Sequence, residues 1–184
     1  MKRAIYLVVF IALFGNLSLA VTGQALAETS DPTRDATRER LRDLLDSSGP
    51  TISVAFKPST KAPYNFSGML TTGLKNCDSM EIVLSVTENN TIGVRVWPHY
   101  KGNYINLNRA KDSVGLMKRL LLLSNNNFLF WGRDDSSDVF SGFTFTLESG
   151  FPEEAISIVL RSIDNLDKFV GEMRPAIDGS APAP

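Results

Sequence analysis

The residues able to do acid–base or metal chemistry are few in this sequence of 184 residues. His99 is the only histidine, and Cys77, 22 positions earlier, is the only cysteine. This pair lacks the ligand number and the spacing of a zinc site. A general base needs a group that orients it, and the sequence shows no such partner for His99. We therefore predict a non-enzymatic protein with no catalytic residue, no metal site and no cofactor. An enzyme with a dispersed site remains an alternative.

Two other groups of residues invite a chemical interpretation. Asp134, Asp135 and Asp138 bring three carboxylates into one short segment, but the glycine and the terminal glutamate of an EF-hand loop are absent. We interpret this segment as a solvated hairpin turn. The Ser-Gly pairs at 67–68 and 141–142 lack the glycine-x-serine-x-glycine frame of a nucleophile elbow.

An aromatic cluster formed by Trp97, His99, Tyr100 and Tyr104 lies in or near a predicted turn. Exposed aromatic side chains often anchor interfaces, because they bring a large contact area at a low cost in entropy. We predict these four residues as a possible interface with a protein partner or a second copy of the chain. The alternative is that Trp97 and Tyr104 simply close one end of a sheet.

Residues 1–27 have the three-part pattern of a secretory signal peptide. Lys2 and Arg3 form a positive start, an apolar run follows, and Ala25-Leu26-Ala27 gives the small-x-small pattern of a cleavage site. We predict cleavage after Ala27, with Ala25 and Ala27 as the small residues of the site, or alternatively after Ala20. The product is then a periplasmic or secreted bacterial protein that has no membrane segment once the leader is removed. The alternative is a retained membrane anchor.

Charge and cysteine content restrict the mature chain further. Lys2 and Arg3 are the only charged residues in the leader, so 17 of the 19 basic residues and all 20 acidic residues remain. A chain with this acidic balance has no concentrated basic face, which argues against nucleic-acid binding. Cys77 cannot form an internal disulfide, and it is either a buried thiol or, if exposed, a link between two chains.

The elements that position these residues follow from hydrophobic spacing. Asp31-Pro32 predicts the start of a helix that runs to about Ser47 and is ended by Gly49-Pro50. A second helix is predicted over 109–123, and a last one from Pro152 to Pro175. The predicted strands are 52–56, 64–70, 81–87, 91–97, 128–131 and 138–148. The predicted core face of the second helix contains Ala110, Val114, Met117, Leu120 and Leu121.

The strands fall into hairpin-connected groups that do not alternate with helices. This order, α-β-β-β-β-α-β-β-α, predicts an α+β fold with an antiparallel sheet packed on one face by helices. We expect a single α+β domain over 28–174 and a disordered tail over 175–184.

The C-terminal half also resembles a known family. A helix with Asn-rich ends is followed by the aromatic hairpin 128–148 and by a terminal helix after Phe151-Pro152. Together with the hairpin from Glu81 to Trp97, this order resembles the YbjN family of bacterial proteins, putative sensory transduction regulators whose domain is similar in fold to type III secretion chaperones. The resemblance implies a chaperone-like fold and a role in binding or regulation. A carrier that holds a small apolar ligand between sheet and helices is the alternative function.

Overall fold

The first helix has nearly the predicted bounds, although Gly49 does not form the predicted left-handed cap and instead begins a 3₁₀ turn. The computed structural model describes residues 32–127 and 130–181, so the predicted leader with Ala25 and Ala27 lies outside them. Helix α1 spans Pro32–Ser48. Leu41, Leu44 and Leu45 are buried on one face of it, as the spacing predicts.

One antiparallel sheet forms the centre of the molecule. Its strands run in the order β1-β2-β3-β4-β7-β6, with the short β5 paired to the end of β4. Their bounds are β1 Lys57–Pro58, β2 Asn65–Leu70, β3 Ser79–Val86, β4 Thr91–Tyr100, β5 Asn103–Tyr104, β6 Phe130–Arg133 and β7 Val139–Thr146. The predicted α+β class with an antiparallel sheet is confirmed.

The two faces of the sheet differ in what covers them. On the inner face, Ile82 of β3 pairs with Val96 of β4, and Leu84 pairs with Val94. These four side chains are at most 1% exposed. Helix α1 lies against β3, and a helix formed by Ser113–Asn127, α2, lies against β6. On the outer face, the alternate residues of β3 and β4 are half-buried or exposed.

The predicted strand at 52–56 is wrong. Residues Gly49–Ile52 form a 3₁₀ turn, and Ser53 follows it with a φ of 57°. The N–H of Ser53 bonds to the carbonyl of Pro50 at 3.2 Å, and the N–H of Val54 bonds to that of Gly49 at 2.9 Å. Backbone donors used inside a turn cannot join a ladder, so the first strand begins only at Lys57.

The turn predicted over 98–103 is present but shorter, because β4 continues through Pro98 to Tyr100 and only Lys101 and Gly102 connect it to β5. The carbonyl of Pro98 accepts from the N–H of Ile105 at 3.4 Å, so this residue presents its backbone groups to the side away from β3. On that side β7 pairs with β4 only as far as Val96. A proline is tolerated there because no ladder bond needs its missing N–H.

Helix α2 begins four residues later than predicted and presents a different face to the core. The N–H groups of Lys111 and Asp112 bond to carbonyls near the C-terminus at 2.9 Å, which holds both residues outside the helix. The predicted core face is correct for Leu120 and in part for Ala110, which packs half-buried against the core. The helix itself has a different buried face. Its buried residues are Leu116, Leu120 and Leu123, whereas Val114, Met117 and Leu121 are exposed and Ala110 precedes the helix.

The C-terminal helix is interrupted once and extends beyond its predicted end. Helix α3 spans Glu153–Ser162, a 3₁₀ turn follows over Ile163–Asn165, and helix α4 spans Leu166–Asp178. Apolar residues recur here at helical spacing and predict one buried stripe: Ile156, Val159, Ile163, Leu166, Phe169, Val170 and Met173. All of them are buried except Val159, which is half-buried. The helix does not end at Pro175 but at Gly179, whose φ of 78° makes the left-handed cap. Residues 175–178 are therefore helical and do not belong to the predicted disordered tail.

Candidate functional site

The four residues predicted as an interface do not form one surface. Trp97 and His99 lie on the outer face of β4, and Tyr104 of β5 pairs with His99 across the backbone. Tyr100 is half-buried against the core and donates its hydroxyl to Asp178 of α4 at 3.1 Å. Trp97 donates Nε1 to Asp134 at 3.1 Å. These internal bonds fit the alternative in which the aromatics close one end of the sheet.

The end of the sheet beyond β5 contains a polar recess of about 400 Å³. Its side chains include His99, Tyr104, Asn106, Arg109 and Asp138. Asp138 accepts from Asn106 at 2.7 Å, and its carboxylate lies 3.8 Å from the guanidinium of Arg109. The hydrogen bond from Tyr104 to Glu81 raises the pKa of the tyrosine to about 12, with burial acting in the same direction.

His99 is the residue in this recess best suited to acid–base chemistry. Its ring packs edge-on against that of Tyr104, with centroids 4.2 Å apart. Its Nε2 is buried and has no hydrogen-bond partner in the described part of the chain. A histidine works as a general base when a bonded group fixes its orientation and its tautomer. The edge-on contact with Tyr104 does not provide such a bond.

The acidic segment at 134–138 is the hairpin turn that its composition predicts. One carboxylate oxygen of Asp134 accepts the N–H of Ser136 at 2.9 Å and that of Asp138 at 3.0 Å. The other oxygen accepts from Trp97. A carboxylate occupied in this way stabilises the turn. Across the residues that the structure describes, no group of three or more His, Cys, Asp or Glu is arranged to hold a metal ion.

Cys77 is buried and belongs to a clamp that the sequence did not reveal. The carboxylate of Asp167 in α4, 6% exposed, accepts the backbone N–H of Lys75 at 2.8 Å, of Asn76 at 2.9 Å and of Cys77 at 3.0 Å. The thiol of Cys77 also donates to it, at 3.2 Å. Burial, followed by this bond, raises the pKa of the thiol. The buried thiol is not placed to link two chains.

Helix α2 presents an apolar surface to solvent. Val114, Met117, Leu121 and Leu122 are 46–65% exposed, and we call these four residues the α2 stripe. Val114, Met117 and Leu121 are spaced i, i+3 and i+7, which places them on one side of the helix. The sequence signal for this surface was present, but it was interpreted as core. It was missed because three further leucines, at 116, 120 and 123, already supply the core face.

The outer face of the sheet contains a second feature that the sequence analysis missed. Gly93 and Arg95 of β4 lie in line with Trp97, and Phe130 of β6 and Phe140 of β7 lie beside them. These residues border a recess of about 560 Å³, which we call the Arg95 hollow. The sequence did contain a signal for this surface, because Gly93, Arg95 and Trp97 alternate with buried valines. Such alternation gives the strand one apolar face and one face with polar and aromatic residues.

Comparison with protein-family models, curated proteins and solved structures finds no match for this chain. Within the described residues, no helix is both long enough and apolar enough to cross a bilayer. The fold and the two surfaces therefore have to be interpreted from their own geometry.

Proposed function

We propose that this chain is an exported, non-enzymatic binding module that holds another protein on the α2 stripe. The observation that carries the proposal is the exposure of four large apolar side chains on one helix of a sheet-covering layer. A helix that only covers a sheet needs one apolar face, and its opposite face is normally polar. An apolar patch of this kind marks an interaction surface.

The charges around the stripe favour an acidic partner. Lys118 lies next to Met117 and Leu121, and helix α2 contains no acidic residue over Ser113–Asn127. The neighbouring Arg119 is turned to the other side, where its guanidinium lies 3.5 Å from Glu172 of α4. A partner that places carboxylates beside its apolar contacts would pair with Lys118.

A second copy of the chain fits this surface less well. Two α2 helices packed antiparallel about Met117 bring the Lys118 side chains of both copies into the same contact. Like charges across a helix pair are destabilising, and no acidic side chain of α2 relieves them. The charge distribution therefore supports a hetero-complex, and self-association becomes an outcome for the experiment to detect.

Two sequence features support the exported and regulatory parts of the proposal. The leader pattern that ends at Ala25-Leu26-Ala27 supports export. The resemblance to the YbjN family supports a role in binding or regulation, because that family is associated with such roles and not with a reaction.

The experiment is a capture of partners from periplasmic extract with the immobilised mature chain, combined with light scattering on the purified protein. The test variant is M117K/L121K, which places two charges in the stripe. The matched control is I158K, because Ile158 of α3 is also a large apolar residue and 52% exposed. We expect wild type and I158K to capture the same protein and M117K/L121K to lose it.

A further variant tests the charge argument. Lys118→Glu should weaken capture of the same protein, whereas Arg161→Glu, an exposed arginine of α3, should not. Capture that is unchanged in M117K/L121K would contradict the proposal. A wild-type dimer that captures nothing and becomes a monomer in M117K/L121K would assign the stripe to self-association instead.

A further inference from the structure

The Arg95 hollow has an open floor at its centre. Gly93 pairs with Ser85 of β3 on one side and with Thr144 of β7 on the other. A Cβ atom built on Gly93 meets no heavy atom within 4 Å, so the space above this strand is empty. The recess of about 560 Å³ falls in the size range of small-molecule sites, roughly 300–1,000 Å³.

Aromatic rings form the wall of the hollow and are fixed in place. The ring centroid of Phe140 lies 5.6 Å from that of Trp97 and 5.8 Å from that of Phe130. Phe130, although 58% exposed, lies flat over Gly132 and Gly142, where an added Cβ would come within 3.0 and 3.2 Å of its ring. The two glycines therefore allow the ring to rest on the sheet. Trp97 is held by its bond to Asp134.

The charge in the hollow comes from Arg95. Its guanidinium carbon lies 4.8 Å from the ring centroid of Phe140, and no carboxylate within the described residues lies in ion-pair distance of it. Two acidic residues beside Trp97 are already occupied: Glu81, its partner on β3, accepts from Tyr104, and Asp134 accepts from Trp97. A guanidinium that rests on an aromatic ring keeps its N–H donors available for a planar anion.

We propose that the Arg95 hollow binds a small organic carboxylate with a flat apolar body. The carboxylate pairs with Arg95, and the body lies above Gly93 against the rings of Trp97, Phe130 and Phe140. The hydroxyl groups of Ser85 and Thr144 border the opposite side. This site lies on the outer face of the sheet and does not depend on the protein partner of α2. It also differs from a carrier site between sheet and helices, because the inner faces of β3 and β4 are filled with buried side chains.

The experiment is a titration of the isotope-labelled mature chain with naphthaleneacetate, followed by amide NMR shifts. We expect saturable shifts centred on Gly93, Arg95 and Gly142. Naphthaleneacetamide has nearly the same shape without the charge, and it should bind about tenfold more weakly because the charge-assisted bond is lost. Arg95→Met should weaken the binding of naphthaleneacetate by a similar factor. Arg161→Met is the matched control and should leave this binding unchanged.

Gly93 provides a second, independent variant. Gly93→Phe fills the hollow from its floor, and the strand should tolerate it because the added Cβ meets no neighbour and the backbone φ is ordinary. We expect Gly93→Phe to abolish the shifts and Gly93→Ala to retain them within about twofold. Thermal unfolding of each variant confirms that it is folded.

Three results would overturn this proposal. One is the absence of saturable shifts up to the solubility limit of naphthaleneacetate. Another is equal binding of the acid and the amide. The third is unchanged binding in both Arg95→Met and Gly93→Phe. None of these results bears on partner capture by the α2 stripe, so the two proposals fail separately.

Discussion

The clamp around Asp167 makes a quantitative prediction about stability. Asp167→Asn keeps the shape of the side chain but replaces one acceptor oxygen by an amide NH₂ group. In the native protein both oxygens accept, and the donors are three successive backbone N–H groups, the Asn76 amide and the Cys77 thiol. The variant keeps one acceptor oxygen for the N–H of Cys77, and its NH₂ group then faces the N–H of Lys75 and the side-chain amide of Asn76, donor against donor. Hydrogen bonds to a charged group are worth about 1.5–3 kcal/mol each, and the penalty for an unpaired buried donor is similar.

Exposure limits the size of the effect. Lys75 is exposed and Asn76 half-buried, so water can replace the carboxylate at these two N–H groups. Cys77 is 8% exposed, so its N–H depends on the remaining oxygen, and that bond loses the strength that the charge gave it. We therefore expect a loss of about 2–3 kcal/mol in the free energy of unfolding. For a domain of this size that corresponds to a melting temperature lower by about 5–10 °C.

The assay is urea unfolding of wild type and Asp167→Asn, with Asp164→Asn as the control. Asp164 is exposed in the 3₁₀ turn just before α4, and its change should stay within about 0.5 kcal/mol. A loss at Asp167 no larger than that of the control would refute the reasoning. The reasoning would also be refuted if Asp167→Asn lost the expected ~2–3 kcal/mol while the amides of residues 75–77 kept their native protection from hydrogen exchange.

The pH dependence of the same variant gives a second check. Burial acts to raise the pKa of Asp167, but the N–H groups of Lys75, Asn76 and Cys77 outweigh it and lower that pKa. A carboxyl group with a lowered folded-state pKa stabilises the protein above its unfolded pKa, about 3.9, and loses that contribution as the pH falls through the folded value. The difference between wild type and Asp167→Asn should therefore shrink below about pH 4. A difference that grows on acidification would contradict this.

Two smaller predictions concern Cys77 and Tyr104. The Cys77 thiol should resist a disulfide reagent in the native protein and react on unfolding, because burial and the bond to Asp167 raise its pKa; a native rate like that of an exposed thiol would count against the clamp. Glu81→Gln should return the pKa of Tyr104 from about 12 towards 10, because it removes the charged acceptor. The ultraviolet absorbance of phenolate measures this, with Tyr104→Phe identifying the signal, and an unmoved pKa would rule out Glu81 as the cause.

Much of the fold was predictable because its signals are local. Alternating residues gave the hairpin of β3 and β4, and the stripe from Ile156 to Met173 gave the C-terminal helices. The errors arose where backbone groups distant in sequence determine the ends of a helix or strand. The start of α2 is set by carbonyls of α4 more than sixty residues away, and the continuation of β4 through Pro98 depends on where β7 stops pairing.

The candidate sites were harder to predict for the same reason. The Asp167 clamp joins residues about 90 positions apart, and no local pattern marks such a contact. The Arg95 hollow exists only because β7 inserts between β4 and β6, which brings Phe140 and Phe130 beside Arg95. The aromatic residues from Trp97 to Tyr104 were identifiable by type, but their internal bonds to Asp134, Asp178 and Glu81 depend on the complete fold.

The face of α2 that was predicted as core, but is exposed, supports the proposal that this helix binds a partner. Leu116, Leu120 and Leu123 face the core. Val114 and Leu121 lie about 100° or more around the helix from each of them, and Met117 lies between the two groups. A helix that is apolar over most of its circumference is typical of one covered on two sides. In this protein the sheet covers only one side, and Arg119, paired with Glu172, marks the flank that α4 occupies. In the isolated chain, the other flank of α2 is exposed to solvent. An exposed apolar flank lowers solubility, and a bound partner would cover it.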